Sequence, residues 1–135
     1  MNVMIVEDEL LVALELERIV DAAGHDVVAI VATVDQALAH ASRAELALVD
    51  VRLASGDNGG LLARRLMDRH HMKVIFVTGN PSEIGHGLEG AIDVITKPFT
   101  DDRVVAGLAK AMDHSATTTA SPVKNQSSNR DAVVK

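Results

Sequence analysis

Five short apolar runs alternate with longer amphipathic segments along the first 114 residues. Each run holds four or five nearly continuous apolar residues, a pattern typical of strands that are buried on both faces of a parallel sheet. The runs predict strands at Val3–Val6, Val27–Val31, Leu46–Val49, Val74–Val77 and Ile92–Ile95.

The segments between these runs carry apolar residues at helical spacing. They predict helices at Glu9–Ala23, from Val34 to about Ser42, from Gly59 to about Arg69, and from about Asp101 to Asp113. Gly24 is expected to end the first helix, and Thr100 or Asp101 to cap the last. The apolar residues expected to face the core are Leu10, Leu11, Leu14, Ile19, Val20, Leu61, Leu62, Leu66, Val104, Val105, Leu108 and Met112.

The segment from Pro81 to Gly90 differs from the others because it holds three glycines in ten residues. An interior glycine costs a helix about 1 kcal/mol relative to alanine. We therefore expect at most one or two helical turns there, which rearrange easily.

Alternating strands and helices predict right-handed crossovers and a parallel sheet with helices on both faces. Five such units without a Gly-x-Gly-x-x-Gly motif favour the flavodoxin-like α/β fold, a doubly wound (βα)5 with strand order 2-1-3-4-5. This domain spans residues 1–114. Residues 115–135 are polar and of low complexity, and we expect a disordered tail.

Composition narrows the possible functions. Cysteine, tryptophan and tyrosine are absent, and Phe76 and Phe99 are the only aromatic residues, which disfavours disulfides, thiolate metal sites and base-stacking surfaces. The net charge is −6, and nearly all of the acidic residues lie in the domain, so direct nucleic-acid binding is not expected. No apolar run is long enough for a membrane span, and we expect a cytoplasmic protein without membrane contact.

Polar residues follow four of the predicted strands. They are Glu7, Asp8, Asp50, Thr78 and Lys97. Sites of open α/β sheets form where strands end, and three carboxylates together call for a hard cation such as Mg²⁺. A metal beside a carboxylate, with an amine and a hydroxyl opposite, suits phosphoryl transfer onto an Asp oxygen.

Each of these residues also has an ordinary structural interpretation. Glu7 or Asp8 could cap the following helix, and a single strand-end residue such as Asp50 or Thr78 is more often a loop or strand residue than a catalytic one. Lys97 could be a solvated turn residue. The combination of four strand ends favours the functional interpretation.

Four motifs at these positions resemble the receiver domain of two-component response regulators. The motifs are Met4–Glu9, Leu48–Leu53, Val74–Gly79 and Ile95–Phe99, and the resemblance covers residues 1 to about 114. It implies that Asp50 accepts a phosphoryl group from a sensor histidine kinase or a phosphotransfer protein.

The resemblance also implies a Mg²⁺ site. Asp8 and Asp50 would bind the ion directly, Glu7 would act through water, and the carbonyl group of Arg52 would complete the set. Glu7 departs from the usual Asp at the first acidic position. Its side chain is one methylene longer, which would preserve metal binding but could displace a water.

By the same resemblance, Thr78 and Lys97 bind the phosphoryl group, and the bond before Pro98 is cis. The aromatic switch residue that receivers usually carry three positions before the lysine is replaced by Val94. The stretch from Phe76 to Asn80 is similar to a subgroup of stand-alone receivers with a Phe-Ala-Thr-Gly signature, which also lack that ring. We therefore expect the switch to lie in residues 79–90, beginning at Gly79 and Asn80.

These inferences leave two hypotheses open. The first is a single-domain response regulator that signals by protein contact or serves as a phosphate shuttle or sink. The alternative is a pseudo-receiver that binds partners without phosphorylation. A metal-dependent hydrolase would need a general base and a substrate pocket, and the sequence identifies neither.

Overall fold

The structure is a computed structural model that describes residues 1–115, apart from the side chains of Ser55 and Ser115. Of the predicted tail at residues 115–135, only Ser115 is described, as the last residue of a helix, and the rest lies outside the described residues. Within the described part, no helix has the length and apolar character needed to cross a membrane. The main elements are β1 (Asn2–Val6), α1 (Leu10–Ala22), β2 (Asp26–Val31), α2 (Val34–His40), β3 (Leu46–Val49), α3 (Gly59–His70), β4 (Lys73–Thr78), β5 (Asp93–Thr96) and α4 (Asp101–Ser115).

The five strands form one parallel sheet in the order β2-β1-β3-β4-β5. This order confirms the predicted flavodoxin-like fold, and the predicted strands match the observed ones to within a residue at each end. The prediction works because β1 and β3 are buried almost throughout, and continuous apolar runs are the signature of strands covered on both faces.

Two apolar layers cover the sheet. One face packs against α1 and α4 through residues such as Leu16, Ile19 and Leu108. The other face packs against α2, α3 and the connection between β4 and β5 through residues such as Leu62 and Ile84. The sheet is therefore held on both sides, and its strand ends are left to form the functional edge.

Side chains at the helix starts fix where the helices begin. Thr33 Oγ1 accepts a hydrogen bond from the Gln36 amide at 3.1 Å, and Asn58 Oδ1 accepts one from Leu61 at 3.1 Å. Thr100, one of the two predicted caps of the last helix, accepts the Arg103 amide on Oγ1 at 3.1 Å. These bonds satisfy amides that lack a partner within the helix.

The predicted core face of α1 is wrong for three leucines. Leu10, Leu11 and Leu14 are 65%, 82% and 44% exposed. The helix instead buries Ala13, Leu16, Ile19 and Val20. At 3.6 residues per turn, α1 carries two apolar stripes on opposite sides, and the stripe with Ala13 and Leu16 is the one that packs into the core.

Three further positions predicted to face the core are exposed. They are Leu61 (59%), Val105 (44%) and Met112 (53%). Each is the immediate chain neighbour of a residue that the helix does bury: Leu62, Val104 and Ala111. The buried stripes of α3 and α4 are therefore narrower than the sequence pattern suggested.

We call residues 79–92, between β4 and β5, the fourth crossover. It contains two short 3₁₀ turns, Pro81–Glu83 and Gly85–Leu88, in agreement with the glycine-based prediction. The second turn lies directly on α3. A Cβ atom on Gly87 would lie 2.4 Å from the carbonyl oxygen of Gly60, and one on Gly60 would lie 2.2 Å from that of Ile84. The crossover can approach α3 this closely because neither glycine has a side chain.

Candidate functional site

Strand pairing brings the predicted site residues to one edge of the sheet. Val6 pairs with Val49, so Glu7 and Asp50 follow neighbouring positions, and the Asp50 amide donates to the Val6 carbonyl at 3.0 Å. On the other side of β4, the Lys97 amide donates to the Thr78 carbonyl at 3.0 Å. The backbone thus fixes where each of these side chains begins.

Three carboxylates form a cluster at this edge. Glu7, Asp8 and Asp50 each offer an oxygen, and these oxygens lie within 4.8 Å of one another. Glu7 and Asp50 are buried, whereas Asp8 is exposed. Among the described residues, Asp50 Oδ1 is a buried oxygen without a hydrogen-bond partner. A buried acceptor that faces two other carboxylates fits an oxygen-binding cation such as Mg²⁺.

The ammonium group of Lys97 lies between two of these acids. Its Nζ is 2.7 Å from Glu7 Oε1 and 2.9 Å from Asp50 Oδ2, and the contact with Asp50 is a hydrogen bond. Three carboxylates against one ammonium group leave an excess of negative charge, which a divalent cation would neutralise.

Burial and pairing act against each other on these groups. Burial raises the pKa of Glu7, and the nearby Lys97 and the Glu9 amide, which Glu7 Oε2 accepts at 3.1 Å, offset only part of that effect. Burial disfavours the charged form of Lys97, but its contacts with Glu7 and Asp50 outweigh burial and raise the pKa of Lys97. The lysine therefore stays charged next to the proposed acceptor.

Glu7 contacts the residue before α1, but it does not cap the helix, which was the ordinary structural interpretation of its position. Its Oε2 accepts a hydrogen bond from the amide of Glu9, the residue before the helix, and no side chain caps the first turn of α1. The same carboxylate contacts Lys97. Glu7 thus contacts the backbone before α1 and is at the same time a member of the acidic cluster.

Thr78 is fully buried at the end of β4. Its Oγ1 accepts a hydrogen bond from the backbone amide of Asn80 at 3.0 Å. The hydroxyl proton remains available for donation to another acceptor. Thr78 therefore links the site edge directly to the first residues of the fourth crossover.

The loop after β3 holds Arg52, of which the sequence assigned only the carbonyl group. Its backbone forms an isolated antiparallel bridge with Asn58. Its side chain forms a bidentate ion pair with Glu83 in the fourth crossover. Sequence reasoning missed this pair because the two residues are 31 positions apart and carry no shared motif.

Gly59 is a second residue that the sequence did not mark as part of the site. A Cβ atom on it would lie 1.8 Å from the carbonyl oxygen of Asp50. The glycine amide also donates to the Val51 carbonyl at 2.7 Å. The start of α3 therefore lies against the backbone of the proposed acceptor, and any side chain there would displace it.

The remaining predicted positions lie around this centre. Val94 is half-buried and packs against the core on the α3 side of the sheet, in the layer that holds Phe76. Gly79 has open space around its Cα. The bond between Lys97 and Pro98 is cis, as the resemblance predicted.

Comparison with known proteins agrees with the fold. The chain matches the response regulator receiver domain over residues 3–109. It is 34% identical over 116 residues to the phyllosphere-induced regulator PhyR of Methylorubrum extorquens, covering 82% of this chain and 43% of PhyR. It is 40% identical over 105 residues to the aerobic respiration control protein ArcA of Escherichia coli K12, covering 73% of this chain and 42% of ArcA.

Among solved structures, the receiver domain of the PhyR response regulator from Erythrobacter litoralis superimposes with a TM-score of 0.79 at 30% identity, covering 89% of this chain and 95% of that one. The fold and the acidic edge define a receiver domain, and this chain belongs to the response regulator receiver family. It spans less than half the length of the curated relatives it matches.

Proposed function

We propose that this receiver domain accepts a phosphoryl group on Asp50 from a sensor histidine kinase or a phosphotransfer protein. The observation that carries the proposal is the environment of the Asp50 carboxylate. One oxygen is bound by Lys97, and the other is buried without a partner next to two further carboxylates. This arrangement leaves an acceptor oxygen beside a lysine and beside carboxylates that can hold a cation, and the two positive charges would neutralise a transferred phosphoryl group.

In the proposed reaction, an Asp50 oxygen forms a bond to phosphorus as the phosphorus–nitrogen bond of a phosphohistidine breaks and the imidazole leaves with the bonding electrons. Mg²⁺, held by Glu7, Asp8, Asp50 and the Arg52 carbonyl group, would supply positive charge to the phosphoryl oxygens. The Lys97 ammonium is placed to pair with one of these oxygens, and the Thr78 hydroxyl to donate to another. Catalysis then consists of positioning and charge neutralisation.

The proposed output is a rearrangement of residues 79–90 that changes a protein-binding surface. Two observations support it: Asn80 is bonded to the Thr78 hydroxyl oxygen, and Val94 occupies the position of the usual aromatic switch. When the Thr78 side chain rotates toward a phosphoryl oxygen, its Oγ1 moves away from the Asn80 amide, so that hydrogen bond weakens and the crossover is released to move. A role as phosphate shuttle or sink uses the same chemistry without this output.

Labelling with a small phosphodonor tests the proposal. The chain is incubated with acetyl phosphate and Mg²⁺, and intact mass spectrometry measures the gain of one phosphoryl group. Asp50→Asn is expected to abolish the gain, whereas Asp113→Asn, which removes an exposed acid on α4, leaves it unchanged. If labelling with Mg²⁺ does not depend on Asp50, the proposal is wrong and the pseudo-receiver alternative is favoured.

A further inference from the structure

We propose that the ion pair between Arg52 and Glu83 acts as a latch. It holds the first turn of the fourth crossover in the unphosphorylated state, and phosphorylation of Asp50 opens it. The inference rests on the proposed function and specifies its regulation. It assigns a role to two side chains that the phosphoryl-transfer chemistry does not use.

The latch joins the loop of the acceptor to the crossover. Arg52 Nε lies 2.9 Å from Glu83 Oε1, and Nη2 lies 2.6 Å from Oε2. Arg52 is two residues beyond Asp50, and Glu83 ends the Pro81–Glu83 turn. A bidentate guanidinium–carboxylate pair fixes orientation as well as distance, so it holds the turn against the loop.

The second turn of the crossover is held by different contacts. Arg64 on α3 donates to the carbonyl oxygens of Glu89 at 2.7 Å and His86 at 3.3 Å, and Gly87 lies on the backbone of Gly60. Arg64 is itself held by an ion pair with Asp68 at 2.8 Å. The contacts that Arg64 and α3 make with the second turn are to its backbone, and they do not involve the loop that carries Asp50.

Between the two attachments lies Gly85, with φ of +65°. This left-handed conformation is open to glycine at little cost. The first turn is thus held by side-chain charges on the side of Asp50, whereas Ile84, which is 3% exposed, and the second turn lie on α3. The residues before Ile84 can therefore move while the rest of the crossover stays packed.

Phosphorylation would act on the charged attachment. A phosphoryl group brings a charge of about −1.5 to −2 and three strong acceptor oxygens, and it would appear two residues from Arg52. The Arg52 side chain is 65% exposed, so it can rotate. Competition between the phosphoryl oxygens and Glu83 for one guanidinium group would release the first turn and leave the second turn on α3.

Amide hydrogen exchange in the unphosphorylated full chain tests the latch. Glu83→Gln is expected to speed exchange at residues 82–84 about two- to fivefold, in line with an exposed ion pair, without changing residues 86–89. The charge-swapped double variant Arg52→Glu/Glu83→Arg is expected to restore slow exchange. Glu89→Gln, which removes an exposed acid from the same crossover, should leave both turns as in the wild type.

The latch is refuted if Glu83→Gln exchanges like the wild type, if Glu89→Gln has the same effect, or if both turns open together. A second arm adds acetyl phosphate and Mg²⁺. The labelled wild type should reach the exchange rate of unlabelled Glu83→Gln at residues 82–84. Labelled protein that keeps slow exchange overturns the latch but leaves the proposed function intact, whereas absence of Asp50 labelling overturns the proposed function.

Discussion

The amide of Asn80 donates a hydrogen bond to the buried Oγ1 of Thr78 across 3.0 Å. This bond joins the last residue of β4 to the fourth crossover, so a change at the hydroxyl reaches the crossover through a single contact. Since Thr78 is fully buried, few other groups can replace the Asn80 amide as a hydrogen-bond donor to its hydroxyl oxygen.

Thr78→Ala is expected to uncouple the crossover from the site. The variant removes the acceptor of the Asn80 amide, and it costs about 1 kcal/mol of stability, as is common for one lost hydrogen bond. Nuclear magnetic resonance should show that the Asn80 amide no longer shifts when Asp50 is phosphorylated. Thr78→Ser, which keeps the hydroxyl, should retain the shift; a full shift in the alanine variant would contradict the coupling.

The two apolar stripes of α1 should differ sharply in their effect on stability. Leu16→Ala, at a site that is 1% exposed, is expected to lower the free energy of unfolding by about 2–5 kcal/mol. Leu11→Ala, at an 82% exposed site, should change it by less than about 0.5 kcal/mol. Urea unfolding measures both. Equal losses would show that the outer stripe is also covered.

Gly60→Ala is expected to destabilise the domain, although alanine is the better helix former. Its Cβ would meet the Ile84 carbonyl oxygen at 2.2 Å, and overpacking typically costs about 1–3 kcal/mol. Gly79→Ala is the matched control, because nothing lies within 4 Å of its Cβ position. Thermal unfolding should show a lower midpoint for Gly60→Ala alone.

Asp93 should make the free energy of unfolding depend on pH in the acidic range. Its hydrogen bonds to Arg103 lower the pKa of the carboxyl group to about 2 from 3.8. Because the folded value is below the unfolded one, the contribution is complete above pH 3.8 and is lost as the pH falls toward 2. The difference between the two values corresponds to at most about 2.5 kcal/mol, at about 1.4 kcal/mol for each pH unit, and solvent around the 38% exposed Arg103 side chain lowers this contribution.

Urea unfolding of Asp93→Asn from pH 7 to pH 2 checks this expectation. The variant should be less stable than the wild type at pH 7, and the difference should shrink between pH 4 and pH 2. Asp113→Asn, at an exposed position, serves as the control and should track the wild type. A difference that stayed constant with pH would mean that the carboxylate charge is not what stabilises this contact.

The strands and the acidic edge could be predicted because they depend on local signals. A run of four or five β-branched apolar residues between amphipathic segments is typical of a strand buried on both faces, and the residue after such a strand lies at the sheet edge. Glu7 and Asp50 follow paired residues of β1 and β3, so knowing the strands and their order was enough to bring them together.

The other contacts depend on packing that sequence spacing does not encode. The exposed Leu11 and the buried Leu16 are the same residue type on the same helix, and the packing of α1 on the sheet and on α4 decides which one is covered. The Arg52–Glu83 pair and the contact of Gly59 with Asp50 need the three-dimensional path of two loops. Neither contact can be inferred from the spacing of residues along the chain.

The contact between Gly60 and Gly87 has a further consequence for how this domain can vary. Each backbone occupies the space that the other's side chain would need, so a larger residue at Gly87 can be accommodated only if the second turn of the crossover leaves α3. A bulky substitution there would hold the second turn off α3 whether or not Asp50 carries a phosphoryl group. At this glycine pair, a single inherited substitution would therefore fix the crossover in a displaced conformation that no longer depends on the state of the site.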